Sequence, residues 1–216
     1  MNCCTHCEAT ESIFDIKSAR KSLKRYLDKG PDKTTSYILN RIHEQKDKPE
    51  SLLDIGGGVG VVHHELLGKG IDSAFHVDAS SASIRIAQEE DQLRDQQDRV
   101  RYLFGDATLL SREIPNADLV TLDRVICCYP LWESLLQVSA SKANKLIALS
   151  VPRDRWYVKM VFAMDNAFRQ IRGNEFRAFV HSTSQMYDKL ANLGFHKLST
   201  DTTLTWEVSV FTRNSE

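Results

Sequence analysis

Residues 52–60 read Leu-Leu-Asp-Ile-Gly-Gly-Gly-Val-Gly. A short apolar run suited to a buried strand passes directly into a glycine-rich turn, and a helical pattern near 60–69 follows. Glycine serves where the backbone turns with positive φ, or where something lies directly against the main chain. A helix that begins beyond such a turn offers unpaired N–H groups to an anionic group. This segment therefore defines a strand–turn–helix unit, and the rest of the chain must supply the sheet to which such a unit belongs.

The periodicity supplies it. From Ser51 onward, short apolar runs near 51–55, 73–77, 100–104, 118–123 and 144–150 alternate with helical patterns near 60–69, 80–96, 107–113 and 131–141. That alternation signals βα units and a parallel sheet. After Pro152 a long segment carries Trp156, Tyr157, Met160, Val161, Met164, Phe168 and Ile171 at helical intervals. A further helix runs from about Thr183 to Leu193 and stops at Gly194. Two strand-like runs close the chain, near 195–201 and 204–212, and the short gap between them implies an antiparallel hairpin. The first fifty residues read as helices instead. Ile13, Phe14, Leu23, Tyr26 and Leu27 recur among Lys and Arg, Gly30-Pro31 ends that segment, and a second helix covers about Thr34 to Glu44. The expected organisation is a helical N-terminal cap over 1–50 and a main domain over 51–216.

The glycine pattern restricts the ligand. A dinucleotide fingerprint needs a small residue three positions after its second glycine, and the available positions hold Val61 or His63. No G-K-[ST] ending is present, which argues against a phosphate-cradling loop. What remains is D-x-G-x-G-x-G, Asp54 through Gly60. The second strand ends in Asp78, where an acid can accept hydrogen bonds from both hydroxyls of a ribose. The third ends in Gly105-Asp106, whose carboxylate can accept from an adenine amino group. Any one of these acids alone could be a solvated strand end or a helix cap. Together they converge on the crevice where open α/β sheets bind ligands.

The stretches LLDIGGGVG (52–60), FHVDAS (75–80), FGDATLL (104–110) and ADLVTLDRVI (117–126) resemble the class I S-adenosylmethionine-dependent methyltransferases. The resemblance covers roughly residues 50–212. It implies a doubly wound, Rossmann-like sheet of seven strands, mostly parallel with an antiparallel last strand. It also implies S-adenosyl-L-methionine as cofactor. Asp54, Gly56, Gly58 and Gly60 would surround its methionine portion, Asp78 would hold the ribose, Ala79 would lie against the adenine, and Asp106 with Ala107 would sit at the adenine amino group. Asp123 and Arg124 follow the fourth strand, where the family's backbone borders the cofactor. Near the N-terminus, CCTHC, F-D-x-K and KGPDKTT (29–35) are similar to the magnesium-protoporphyrin O-methyltransferase-related branch.

Composition narrows the partners. The 216 residues carry a formal net charge of -1, so no global field draws the chain to nucleic acid. The place after the fourth strand reads Asp123-Arg124-Val125-Ile126, without the [DNS]-P-P-[YF] motif of base amino methyltransferases. No apolar run approaches the ~20 residues of a bilayer span, and no signal-peptide core opens the chain, so the expected location is cytoplasmic. The five cysteines fall in two clusters, a poor disulfide framework. Cys3, Cys4, His6 and Cys7 are crowded for a tetrahedral metal site, and no metal is expected. Cys127 and Cys128 read as buried small hydrophobes.

Methyl transfer from a sulfonium is an in-line displacement that rests largely on positioning, with a base needed only when the acceptor must lose a proton. Tyr129 and Trp132 should border the transfer path. His181 is the candidate base or acceptor-orienting group, with Tyr129 beside it. Of His63 and His64, at most one should face the site. The basic helix bearing Lys17, Arg20, Lys21, Lys24, Arg25 and Lys29, with Lys33, Thr34 and Thr35 beyond it, could approach the crevice. The 155–177 segment, with Arg155, Arg169, Arg172 and Arg177, occupies the place of substrate recognition. The expected reaction is methylation of a small-molecule acceptor, apolar with an acidic group, oxygen being favoured. RNA or protein methylation and non-catalytic cofactor binding are the alternatives.

Overall fold

The computed structural model describes residues 10–214 apart from position 12. The Cys3, Cys4, His6 and Cys7 cluster lies outside the described residues. Seven strands form one sheet: β1 (Ser51–Ile55), β2 (Ser73–Asp78), β3 (Val100–Phe104), β4 (Ala117–Asp123), β5 (Ala143–Pro152), β6 (Phe195–Thr202) and β7 (Trp206–Arg213). Their order is β3-β2-β1-β4-β5-β7-β6. The pairs from β3 through β5 are parallel, and β7 runs antiparallel to both β5 and β6. The chain reverses its direction of travel across the sheet between β1 and β4, and this switch opens a crevice at the carboxyl ends of those strands.

Helices α1 (Ile16–Lys29), α2 (Lys33–His43), α3 (Val61–Leu67), α4 (Ser81–Leu93), α5 (Trp132–Lys142), α6 (Trp156–Ile171) and α7 (Thr183–Asn192) surround it. Polar side chains start several of them: Asp15, Asp32, Ser80 and Ser182 each accept from backbone N–H groups of the first turn of α1, α2, α4 and α7. Two cores lie on opposite faces of the sheet. On one, Leu135, Leu136, Met186 and Leu190 of α5 and α7 cover Leu53, Val120, Leu122 and Ile147. On the other, Ile38, Leu39 and Ile42 of α2 join Val62 and Leu66 of α3 over Leu52, Leu119 and Ala148. α2 thus shares the sheet's core, while α1 lies beside α4 through Ala19 and Ile86.

Two expectations about elements need correction. Residues 107–113 form successive turns in place of a helix. Asp106 captures the N–H and hydroxyl of Thr108, a local alternative to helical bonding, and Pro115 disfavours helical geometry in the residue before it. The final strand begins at Trp206, not near 204. The Thr203 N–H donates to the Trp206 carbonyl, and the Thr203 hydroxyl accepts from the Trp206 N–H, so Leu204 and Thr205 belong to the turn.

Candidate functional site

The glycine loop connects β1 to α3. Gly56, Gly58 and Gly60 have φ of 65°, 57° and 84°, values that a side chain makes costly. At Gly56 a Cβ would also come within 2.5 Å of Val125. At Gly58 it would meet nothing within 4 Å, so that part of the loop faces open space. The Gly58 N–H donates to Asp78 Oδ2 at 2.8 Å, and the Ser80 N–H donates to Asp78 Oδ1 at 2.7 Å. The loop and the tip of β2 are thereby tied together. Burial pushes the Asp78 carboxyl up to about 6, against the lowering effect of those two donors.

Strand register brings the remaining polar groups to the same edge. Asp54 of β1 pairs with His76 of β2 and with Thr121 of β4, and Asp54 Oδ1 accepts from the Thr121 hydroxyl at 2.7 Å. Beyond β3, the Tyr129 hydroxyl donates to Asp106 Oδ2 at 2.8 Å. At the end of β4, Asp123 accepts from the hydroxyls of Thr35 and Ser150. Arg124 follows with φ 62°, a left-handed conformation for a residue with a side chain. Its N–H donates to the Ser150 hydroxyl at 2.8 Å and its guanidinium pairs with Asp32. Burial works to raise the Asp32 pKa, but the Arg124 charge and hydrogen bonds from Thr34, Thr35 and Arg25 outweigh it and hold that carboxyl well below its ordinary range.

These groups line one cavity of about 530 Å³, within the usual range for a small-molecule site. Asp54, Gly56, Gly58, Asp78, Ala79, Asp106, Ala107, Asp123, Arg124 and Tyr129 all line it. Gly60 does not; it is the N-cap of α3. The cavity continues past the strand tips into an aromatic wall that sequence spacing did not reveal. Phe14 and Phe176 meet edge to face at 6.2 Å, Phe162 and Trp206 lie 6.4 Å apart, and Arg169 sits over the Phe176 ring at 5.4 Å. These residues come from three separate stretches of chain, at 14, over 162–176 and at 206. Of the basic residues on α1, Arg25 alone lines the cavity, as does Thr35 at the start of α2.

Other candidates sit elsewhere. His181 does not line the cavity: its Nε2 lies 3.0 Å from the Tyr129 carbonyl, and its ring stacks on Phe179. Burial lowers its pKa, and the Tyr129 carbonyl works in the opposite direction. His63 and His64 are both buried beneath the loop, so neither faces the cavity. Cys127 and Cys128 do line it, free, with their Sγ atoms 3.6 Å apart.

The glycine cradle, the buried acid at the tip of β2 and the cavity volume suit an adenosyl ligand. The family described as "Methyltransferase domain" matches residues 18–200. The chain belongs to this family and is an S-adenosylmethionine-dependent methyltransferase. Among solved structures it is similar to magnesium protoporphyrin IX methyltransferase from Synechocystis PCC 6803 with bound S-adenosylhomocysteine, at TM-score 0.73 and 16% identity, over 97% of this chain and 100% of that one. It is also similar to an O-methyltransferase family protein from Burkholderia thailandensis, at TM-score 0.68 and 14% identity, over 84% and 56% of the two chains. An O-methyltransferase family 2 protein from Planctomyces limnophilus in complex with apigenin gives TM-score 0.65 and 16% identity, over 91% and 62%. No curated protein matches.

Proposed function

We propose that the protein methylates an oxygen of a small, largely apolar acceptor that carries an acidic group. The carrying observation is the aromatic wall of Phe14, Phe162, Phe176 and Trp206, with Arg169 over the Phe176 ring and Arg124 also lining the cavity. Aromatic faces bind flat apolar bodies, and guanidinium groups recognise carboxylates. The magnesium protoporphyrin and apigenin associations of the similar structures agree with such an acceptor.

In this reading Asp78 accepts from the ribose hydroxyls, Ala79 and Ala107 flank the adenine, and Asp106 accepts from its amino group. The amides of the glycine loop and Asp54 hold the methionine portion. The backbone of Asp123 and Arg124 borders the transfer path. When bound, S-adenosylmethionine would supply the electrophilic methyl group for the acceptor oxygen. Tyr129 keeps the path in line, its hydroxyl tied to Asp106 and its carbonyl to His181. His181 acts here as a positioning residue. A carboxylate acceptor has no proton to lose, and a phenol releases its proton to solvent.

The test is a methyl-release assay with aromatic carboxylates and phenols on one side, and RNA and protein extract on the other. Transfer to the first group is expected. Transfer to RNA or protein alone would overturn the reading. His181→Ala should raise the acceptor KM without moving the pH profile, whereas loss of the acid limb of kcat/KM would make His181 a base.

A further inference from the structure

Beneath the glycine loop lies a second polar cluster that meets the cofactor cavity only at Asp54. His63, His64 and His76 are buried, as are Asp54 and Asp91. Uncompensated polar atoms and charges in such a place are costly, yet this cluster is incompletely matched. Asp54 Oδ2, fully buried, has no hydrogen-bond partner among the described residues. His76 Nδ1 faces His63 Nδ1 at 3.2 Å, so these two ring nitrogens share at most one proton, and a lone pair remains between them. His63 Nδ1 also lies 3.8 Å from Asp54 Oδ2.

Asp54, His63 and His76 each offer one ligand atom, and these atoms all lie within 4.8 Å of one another. Ligands on tetrahedral zinc, at about 2.0–2.1 Å from the metal, are roughly 3.3 Å apart. For His63 and Asp54 the surroundings match what metal ligands require, since a metal-bound imidazole donates its other N–H to a carboxylate and a bound carboxylate is itself hydrogen-bonded; His76 Nε2 is buried with no hydrogen-bond partner among the described residues. His63 Nε2 lies 3.4 Å from Asp91 Oδ1, and Asp91 is held by the Tyr102 hydroxyl. Asp54 Oδ1 takes the Thr121 hydroxyl, which leaves Oδ2 for the cation. We propose that Asp54 Oδ2, His63 Nδ1 and His76 Nδ1 hold a divalent cation of the zinc class.

The site has a structural consequence. A Cβ at Gly57 would come within 2.4 Å of Asp54 Oδ2 and 2.6 Å of the His76 ring, and one at Gly60 within 2.4 Å of the His63 ring. The glycine loop rests directly on the three ligands, so a cation that fixes them fixes the floor of the cofactor site. β1, β2 and α3 each supply one ligand, and the register Asp54↔His76 sets two of them side by side.

The test uses the full-length protein and does not depend on methyl transfer. Metal analysis of the purified chain should find about one equivalent. After chelation, cobalt(II) titration should saturate at one equivalent with visible bands of a tetrahedral site, and the melting temperature should rise on reloading. Zinc-edge X-ray absorption should give nitrogen and oxygen at about 2.0–2.1 Å without a sulfur shell near 2.3 Å. His76→Gln should abolish uptake, while the combined Cys3→Ser, Cys4→Ser, Cys7→Ser variant keeps it. Folded wild-type protein that takes up neither metal, with an unmoved melting temperature, would overturn the proposal. A sulfur shell, or undiminished uptake by His76→Gln, would do so too; the wild-type titration decides the matter should that variant fail to fold.

Discussion

At Asp78 a buried carboxylate meets two backbone donors, Gly58 N–H and Ser80 N–H. Asn keeps an acceptor for one of them and removes the charge that strengthens bonds to ribose hydroxyls. Hydrogen bonds to charged groups contribute about 1.5–3 kcal/mol, so Asp78→Asn should weaken cofactor binding roughly 10–150-fold by calorimetry, with far-ultraviolet circular dichroism unchanged. Asp32 offers a test in pH. Its folded pKa is depressed, so its ion pairs stabilise the protein above the ordinary carboxylate value near 4, and that stability is lost as pH falls below it. Asn is an equally good helix cap, so Asp32→Asn isolates the charge. It should cost about 1 kcal/mol at pH 7 and flatten the acid limb of denaturant stability below pH 4, and an unchanged limb would contradict the pairing with Arg124. The strand-tip acids and the loop glycines were legible because each depends on local sequence. The partners of those acids were not: Thr121, Ser150 and Thr35 reach Asp54 and Asp123 only through register and helix packing.

Among the elements, α6 departs most from ordinary burial. Val158 is its one buried residue, while Trp156 and Ile171 are 75% and 84% exposed. Its inner side contributes Phe162, Asp165 and Arg169 to the cavity. If α6 belongs to acceptor recognition, Phe162→Ala should raise the acceptor KM and leave the cofactor dissociation constant within twofold. Equal weakening of both would place Phe162 against the cofactor instead. The helical period over 156–171 was visible in the sequence, but periodicity cannot tell a helix face turned to a core from one turned to a cavity or to solvent. The segment 107–113 failed for a related reason: its apolar content suited a helix, but the side-chain hydrogen bonds of Asp106 and the proline at 115 had greater weight. The strands and their parallel sheet were readable from the βα alternation, and the antiparallel hairpin from the shortness of its gap.

For the whole molecule, the account reduces to one linkage. The cavity exists because the sheet reverses direction between β1 and β4, and a ligand that fills it stabilises only the folded chain. At a cofactor concentration 100 times its dissociation constant, stabilisation is about 2.7 kcal/mol, which for a domain of this size raises the melting temperature by about 5–10 °C. No helix among the described residues is long and apolar enough to cross a membrane. The most direct measurement is calorimetric titration of the purified protein with S-adenosylmethionine, and then with S-adenosylhomocysteine. One saturable site for each is expected, lost in parallel when Asp78 is replaced. A folded protein that gives no binding heat and no melting shift with either compound would contradict the assignment of this cavity.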